Sequence, residues 1–426
     1  MALPHRLTVS QYLTRLGSRL GLVAGLIGVA STASALELQM SGFGTAGYAV
    51  SDKPYHFQQY VSDDGTIKRD SVVGAQADLK FTTELSATVQ AKVAPADDKN
   101  NDWKASLAWA FVSWRPNNDW LVRAGKVRLP LYLFSENLDV GQSYDFARMP
   151  TEMYSISPTT DIAGLYLTHN WALDAGDLSL DVYSGKAPRV VRRSYLRDRG
   201  PSYLQDVTTR VSGAVLTLRA EDSSWRVGFH RARSEMNGGL TSPGRVAYVP
   251  MLGVYNQVTT VSGFTNDILT VGMDWGVGGG WRVMTEFERN IQHDIDVGAN
   301  TVGGYVSLLR KVDKFTPYVT WSKIKTLGAT AALHQGLLGV NVPSYVPYAD
   351  QYNAGQRMLA DAIPFYDQQS LMLGTSYALT PQSKLKAELM HTWVGQGSAM
   401  IDSPAGGPPV SHEGLNVLSL SYNFTF

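Results

Sequence analysis

Residues 72–93 read VVGAQADLKFTTELSATVQAKV. Ala75, Ala77, Leu79 and Phe81 alternate with Gln76, Asp78 and Lys80. After Thr82 and Thr83, Leu85, Ala87, Val89, Ala91 and Val93 alternate with Ser86, Thr88, Gln90 and Lys92. A period of two gives a strand one apolar and one polar face. In a soluble sandwich the apolar face packs a core; in a membrane barrel it meets lipid while the polar face lines water. What the polar face carries separates the two. Charged groups recur at mid-strand, at Asp78, Glu286 and Glu388, and that suits a wet lumen.

The same unit repeats along the chain. Besides the strand at 41–50 and the two within 72–93, strands are predicted at 105–114, 119–128, 161–170, 177–185, 209–219, 224–233, 266–275, 280–290, 300–310, 314–325, 368–379, 383–394 and 415–426. That makes sixteen, and an even count leaves both chain ends on one side. The connections alternate strictly. Short ones fall at Thr82–Thr83, Arg115–Asn118, Trp171–Gly176, Ala220–Ser223, Gly276–Gly279, Lys311–Asp313 and Thr380–Gln382. Long ones fall at 51–71, 94–104, 129–160, 186–208, 234–265, 291–299, 326–367 and 395–414. Short turns at one end and long loops at the other mark an outer-membrane barrel, and a soluble sandwich has no reason to sort its loops so. Trp114, Trp120, Trp171, Trp225, Trp275 and Trp281 sit beside the short turns. Indole rings prefer a membrane interface, where the ring is in apolar surroundings and the N–H stays wet.

The 426 residues suffice for two or three soluble domains or one large barrel. Arg6, Arg15 and Arg19 precede the uncharged run Leu20–Ala30, and Ala33 and Ala35 form an A-x-A site before Leu36. This predicts a secretory signal over residues 1–35, with the barrel over 36–426. Taking those three arginines away leaves 34 basic residues against 37 acidic, a net of −3. That argues against a nucleic-acid binder, which needs a basic face. There are no cysteines, which is compatible with export. Gly42, Gly44 and Gly47 spell G-x-G-x-x-G. The dinucleotide reading needs a strand before the motif and a helix after it, so these glycines are assigned to a strand.

One segment stands apart from the wall. Residues 129–161, LPLYLFSENLDVGQSYDFARMPTEMYSISPTTD, show neither alternation nor a sustained helical stripe. The segment is too long for an ordinary connection and holds Glu136, Asp139, Asp145, Glu152 and Asp161. Arg123, Lys126 and Arg128 immediately precede it. We read it as folding into the barrel and setting what passes; an outward surface loop is the alternative. A second basic run occupies the fourth long connection, with Lys186, Arg189, Arg192, Arg193, Arg197 and Arg199. Its arginines could recruit anions to a pore mouth, grip lipid head-group phosphates, or contact a neighbouring protein. Tyrosines in 234–265 and 326–367 could stack a sugar or aromatic solute, and are read instead as packing the loops on one another.

The chain ends LNVLSLSYNFTF, with Leu418, Leu420, Tyr422, Phe424 and Phe426 on one face. This resembles the C-terminal assembly signal of Gram-negative outer-membrane barrels, which ends in an aromatic residue. With sixteen strands and a long third loop, the mature chain resembles the trimeric porin superfamily. That resemblance implies an all-β transmembrane barrel in the cell outer membrane, passing small hydrophilic solutes or ions passively. It implies a third loop whose acids, here Glu136, Asp139, Asp145 and Glu152, face a basic wall, here Arg123, Lys126 and Arg128. By the same token Arg189, Arg192, Arg193, Arg197 and Arg199 would sit at the pore mouth. A PEF-type glycine motif, carried by many general porins at the loop tip, is missing; SENLDVG at 135–141 occupies its place. Expected partners are outer-membrane lipid and lipopolysaccharide, permeating solutes and two further copies of the chain. The alternatives are a channel specific for an anion or organic acid, and a plugged surface-binding or adhesion barrel. No G-x-S-x-G, H-E-x-x-H or P-loop is present, and no histidines are paired at metal spacing. No cofactor or enzymatic activity is expected.

Overall fold

The computed structural model describes residues 37–96, 102–157, 159–193, 203–402 and 410–426. The predicted signal segment 1–35 lies outside the described residues. Sixteen antiparallel strands close into one barrel. They are Glu37–Ser51 (β1), Val72–Lys80 (β2), Leu85–Pro95 (β3), Trp103–Trp114 (β4), Trp120–Arg128 (β5), Asp161–Leu173 (β6), Gly176–Arg193 (β7) and Tyr203–Ala220 (β8). Ser223–Met236 (β9), Gly263–Gly278 (β10), Trp281–His293 (β11), Thr301–Arg310 (β12), Phe315–Thr326 (β13), Tyr366–Thr380 (β14), Ser383–Ser398 (β15) and Glu413–Thr425 (β16) complete it. Each strand pairs with its neighbours in sequence, and β1 pairs with β16 to close the ring. No helix among the described residues is long and apolar enough to cross a membrane.

The alternation read from the sequence is the alternation of the wall. In β12 and β13, Val306, Leu308, Val319 and Trp321 are exposed, whereas Ser307, Thr320 and Ser322 are buried. All six tryptophans beside the short turns are exposed. The barrel is therefore apolar on the outside and polar within, the inverse of a soluble fold.

The glycines of β1 serve the closing seam. A side chain at Gly44 would meet the Phe424 ring at 2.6 Å, and one at Gly42 would meet the Phe426 ring. Register places Gly44 opposite Phe424. Two positions without side chains thus receive the terminal aromatic rings, which stack on one another at 6.3 Å.

Two connections differ from the sequence reading. The fourth connection, expected over 186–208, is mostly strand, because β7 runs to Arg193 and β8 starts at Tyr203. Beyond the pair Ala163↔Lys186, β7 has only β8 as partner. A proline is tolerated on a strand with one unpaired side, so Pro188 masks the strand in sequence without breaking it. The seventh connection carries two helices, Gly328–Gly339 (α2) and Ala349–Asp361 (α3). They pack through Leu337, Leu359 and Ala360 onto Ile295, Val297, Ile363 and Phe365. Their apolar residues read as loop because each helix is short and finds its core only in neighbouring loops. The tyrosines divide: Tyr255 packs against Tyr248 at 5.0 Å, while Tyr248 itself, Tyr345 and Tyr348 stay exposed.

Candidate functional site

Between β5 and β6, the described residues of segment 129–160 contain a 3-10 turn at Gly141–Ser143 and one helical turn at Thr151–Tyr154, α1, and no other regular element. Its folding is dictated from outside. Leu129, Leu131, Tyr132, Phe146 and Met153 are buried in one cluster with Tyr305 and Tyr318 of the wall. The Phe146 ring meets Tyr318 edge-on at 5.2 Å and Tyr305 at 6.3 Å, a favourable arrangement for aromatic quadrupoles. The backbone also lies against the wall where the wall has no side chain: a Cβ at Gly303 would stand 2.9 Å from the Glu152 carbonyl oxygen.

Polar bonds fix the same contact. Glu152 is fully buried and accepts from Ser322 Oγ at 2.6 Å, Gln368 Nε2 at 2.7 Å and Ser370 Oγ. These donors stand on β13 and β14. On β11, Glu286 accepts from Leu133 N at 2.8 Å, Tyr305 OH at 2.8 Å and Tyr154 OH; Glu288 accepts from Tyr132 OH. Tyr318 OH accepts from Ala147 N at 2.8 Å and donates to Glu388 at 2.8 Å. Lys386 donates to the carbonyls of Gly141 and Phe146 at 2.6 and 2.9 Å. Asp145 accepts from Lys384 at 2.9 Å and Ser376 at 2.7 Å. Burial works against the Asp145 carboxylate, but the Lys384 ammonium and the Ser376 hydroxyl together hold it below the usual carboxylate range. Arg226 of β9 donates to the Tyr132 carbonyl at 2.8 Å, and Arg148 pairs with Asp70 at 3.1 Å.

The other acids face β3 to β5. Glu136, half exposed, stands 3.5 Å from Arg123. The Arg123 guanidinium lies over the rings of Phe111 and Tyr166 at 5.4 and 5.5 Å, contacts that fix its direction. Asp139 pairs with Lys92 at 2.6 Å and with the buried Arg128. Lys126 pairs instead with Asp161 at 3.1 Å. Three positions from Arg123 on an alternating strand, it falls on the other face. A recess of about 420 Å³ adjoins Arg123 and is bordered by Gln39, Asp78, Lys80, Thr88, Ser113 and Arg115.

The four loop acids thus fall into two pairs: Glu136 and Asp139 beside wall cations, Asp145 and Glu152 in the bonds that dock the segment. Of the basic run, Arg189 donates to the Ser157 carbonyl at 2.5 Å. Arg192 and Arg193 end β7, and Arg197 and Arg199 lie outside the described residues. The sequence alone did not mark Lys92, Lys384, Lys386, Glu286, Glu288 and Glu388 as contacts of this segment. Their signal is a charge at a polar-face position in mid-strand, visible in sequence only as a property of the wall.

Closure of sixteen antiparallel strands, with short turns at one end and long connections at the other, gives this chain the fold of the outer-membrane porins. No family model matches the chain, and no curated protein matches it either. Solved structures do match in fold. OmpT of Vibrio cholerae, an outer membrane protein in its trimer form, superposes at a TM-score of 0.52 with 11% identity, over 92% of this chain and 100% of that one. The outer membrane channel DcaP of Acinetobacter baumannii gives 0.52 at 11% identity, over 93% and 100%. An anion-selective porin from Comamonas acidovorans gives 0.50 at 12% identity, over 92% and 100%.

Proposed function

We propose that this chain is an outer-membrane porin, exported by residues 1–35, assembled as a homotrimer and passing small hydrophilic solutes by diffusion. In this reading segment 129–160 lies inside the barrel and narrows the lumen without filling it. The carrying observation is its pattern of bonds. The segment leaves at β5 yet docks on polar-face groups of β11 to β15, among them Glu286, Ser322, Ser370 and Lys386. The open space then lies along β1 to β5, where the polar recess adjoins Arg123. Solutes would pass beside the ion pairs Arg123–Glu136 and Lys92–Asp139, which join wall and segment at the edge of that space. Charged pairs bordering water in a low-dielectric wall act strongly on permeants, orienting dipolar solutes and disfavouring apolar ones.

Single-channel recording of the refolded mature protein in a planar bilayer tests this. Stepwise conductance in threes supports a trimeric pore. Inserted protein with no conductance overturns the reading and favours a plugged barrel.

A further inference from the structure

A recess of about 480 Å³ opens between the fifth and seventh long connections, and no residue of segment 129–160 borders it. One side is the hairpin of Val246–Val249 and Val254–Gln257; the other is helix α3. Among the described residues no Lys or Arg lines it, and its one acid, Asp361, is buried. Tyr352, Met358 and Leu359 give it an apolar floor, with Met358 61% exposed.

Helix α3 grips main chain with side-chain amides. Gln356 accepts from Tyr255 N and donates to the Tyr255 carbonyl, both at 2.8 Å. Asn353 accepts from Val342 N at 2.8 Å and donates to the Val342 carbonyl at 3.0 Å. A primary amide carries an acceptor oxygen and a donor NH2 side by side, so each holds one residue's main chain as a neighbouring strand would. Gln351 is the third amide of the helix. It lines the recess, is exposed, and makes no side-chain hydrogen bond among the described residues. The same holds for Asn256 and Gln257 across from it. In an antiparallel hairpin the main-chain groups of alternate residues point to the free edge. Those of Tyr255 meet Gln356, so those of Gln257, two positions on, lie open on the same edge.

Gly355 keeps the space clear. It borders the recess, and a Cβ there would meet no atom within 4 Å. Glycine is a poor helix former, yet a side chain at this position would fill the recess without disturbing the fold.

We propose that the recess binds an extended, uncharged peptide segment of a partner protein. Its main chain pairs with the Gln351 amide and the open edge at Gln257, and one apolar side chain rests on Tyr352 and Met358. Strand addition at a free edge, with a pocket for a side chain, is a general way to hold extended chain. A saccharide could bond the amides but has no peptide groups to match the strand edge, and a charged ligand finds no counter-charge. The inference does not depend on the pore.

The test uses the refolded mature chain in non-ionic detergent and saturation-transfer NMR. The probes are a capped peptide of threonines around a central leucine, the same peptide N-methylated along its main chain, and maltotriose. Wild type should bind the first peptide and neither of the others. Gln351→Ala should weaken binding about fivefold, the worth of one net hydrogen bond. Gly355→Leu should abolish binding without lowering the thermal midpoint, because it fills the recess and suits the helix better. Equal binding of the peptide and its N-methylated form overturns the proposal. So does binding of maltotriose in place of the peptide, undiminished binding by both variants, or no binding of millimolar peptide to the wild type.

Discussion

Segment 129–160 has two halves that look alike in sequence and differ in what surrounds them. Glu136 is half exposed and 3.5 Å from Arg123. Glu152, sixteen positions on, is fully buried and accepts three hydrogen bonds. Charge in water is cheap to move and weak as a fastener. Charge out of water must be satisfied by donors, and then fixes geometry. The same residue type therefore makes a partly solvated ion pair at one end of the segment, the selectivity group of the proposed pore, and a buried dock at the other.

That contrast sets the order of expected effects. Glu152→Ala should be the most damaging. It removes the acceptor for Ser322, Gln368 and Ser370 and should loosen the dock by about 2–4 kcal/mol, seen as protease cleavage within 129–160 of the folded barrel. Tyr154→Phe should cost about 1–2 kcal/mol, because Glu286 keeps its bonds from Leu133 and Tyr305. Noise in the open-channel current is its natural readout.

Asp145 should give the dock a pH dependence. Its carboxylate is held below the usual range, so its contribution is fully present above the ordinary carboxylate pKa and disappears as pH falls through the lower, folded value. The docked state should survive mild acidification and loosen only below about pH 4, near the unperturbed value for aspartate. Asp145→Asn should remove this transition and leave noise at neutral pH; an unchanged acid transition in that variant would break the link to Asp145.

Glu136→Gln should hardly alter stability, by less than about 1 kcal/mol, because the pair is partly solvated. Its effect belongs to permeation. Reversal potential in a salt gradient should move toward anions, whereas Arg123→Gln should move it toward cations. If both variants shift it the same way, the two groups do not both border the path.

The wall was legible in the sequence because lipid and water impose a strict period of two, and sixteen stretches obey it. The reach of β7 and β8 was hidden by Pro188 and by arginines that carry no apolar signal. The helices α2 and α3 were hidden because their partners are distant loops. Within the segment, length and acid content marked it as special, but the division of its acids was out of reach. Glu152 is separated from Ser322 and Ser370 by 170 and 218 positions, and nothing local says that it is buried. Lys126 is the opposite case: parity with Arg123 already placed it on the other face, although Arg128, of the same parity at the strand's end, is buried and reaches Asp139.

The most direct test of the central claim, that segment 129–160 borders an open water path beside Arg123, uses the absence of cysteine from this chain. A single Glu136→Cys variant is inserted in a planar bilayer, and a cationic methanethiosulfonate reagent is added while single channels are recorded. If the account is right, each modification lowers the conductance in a discrete step and shifts selectivity toward anions. If mass spectrometry shows complete modification while conductance and selectivity stay unchanged, Glu136 does not line the path, and the account of the constriction is wrong.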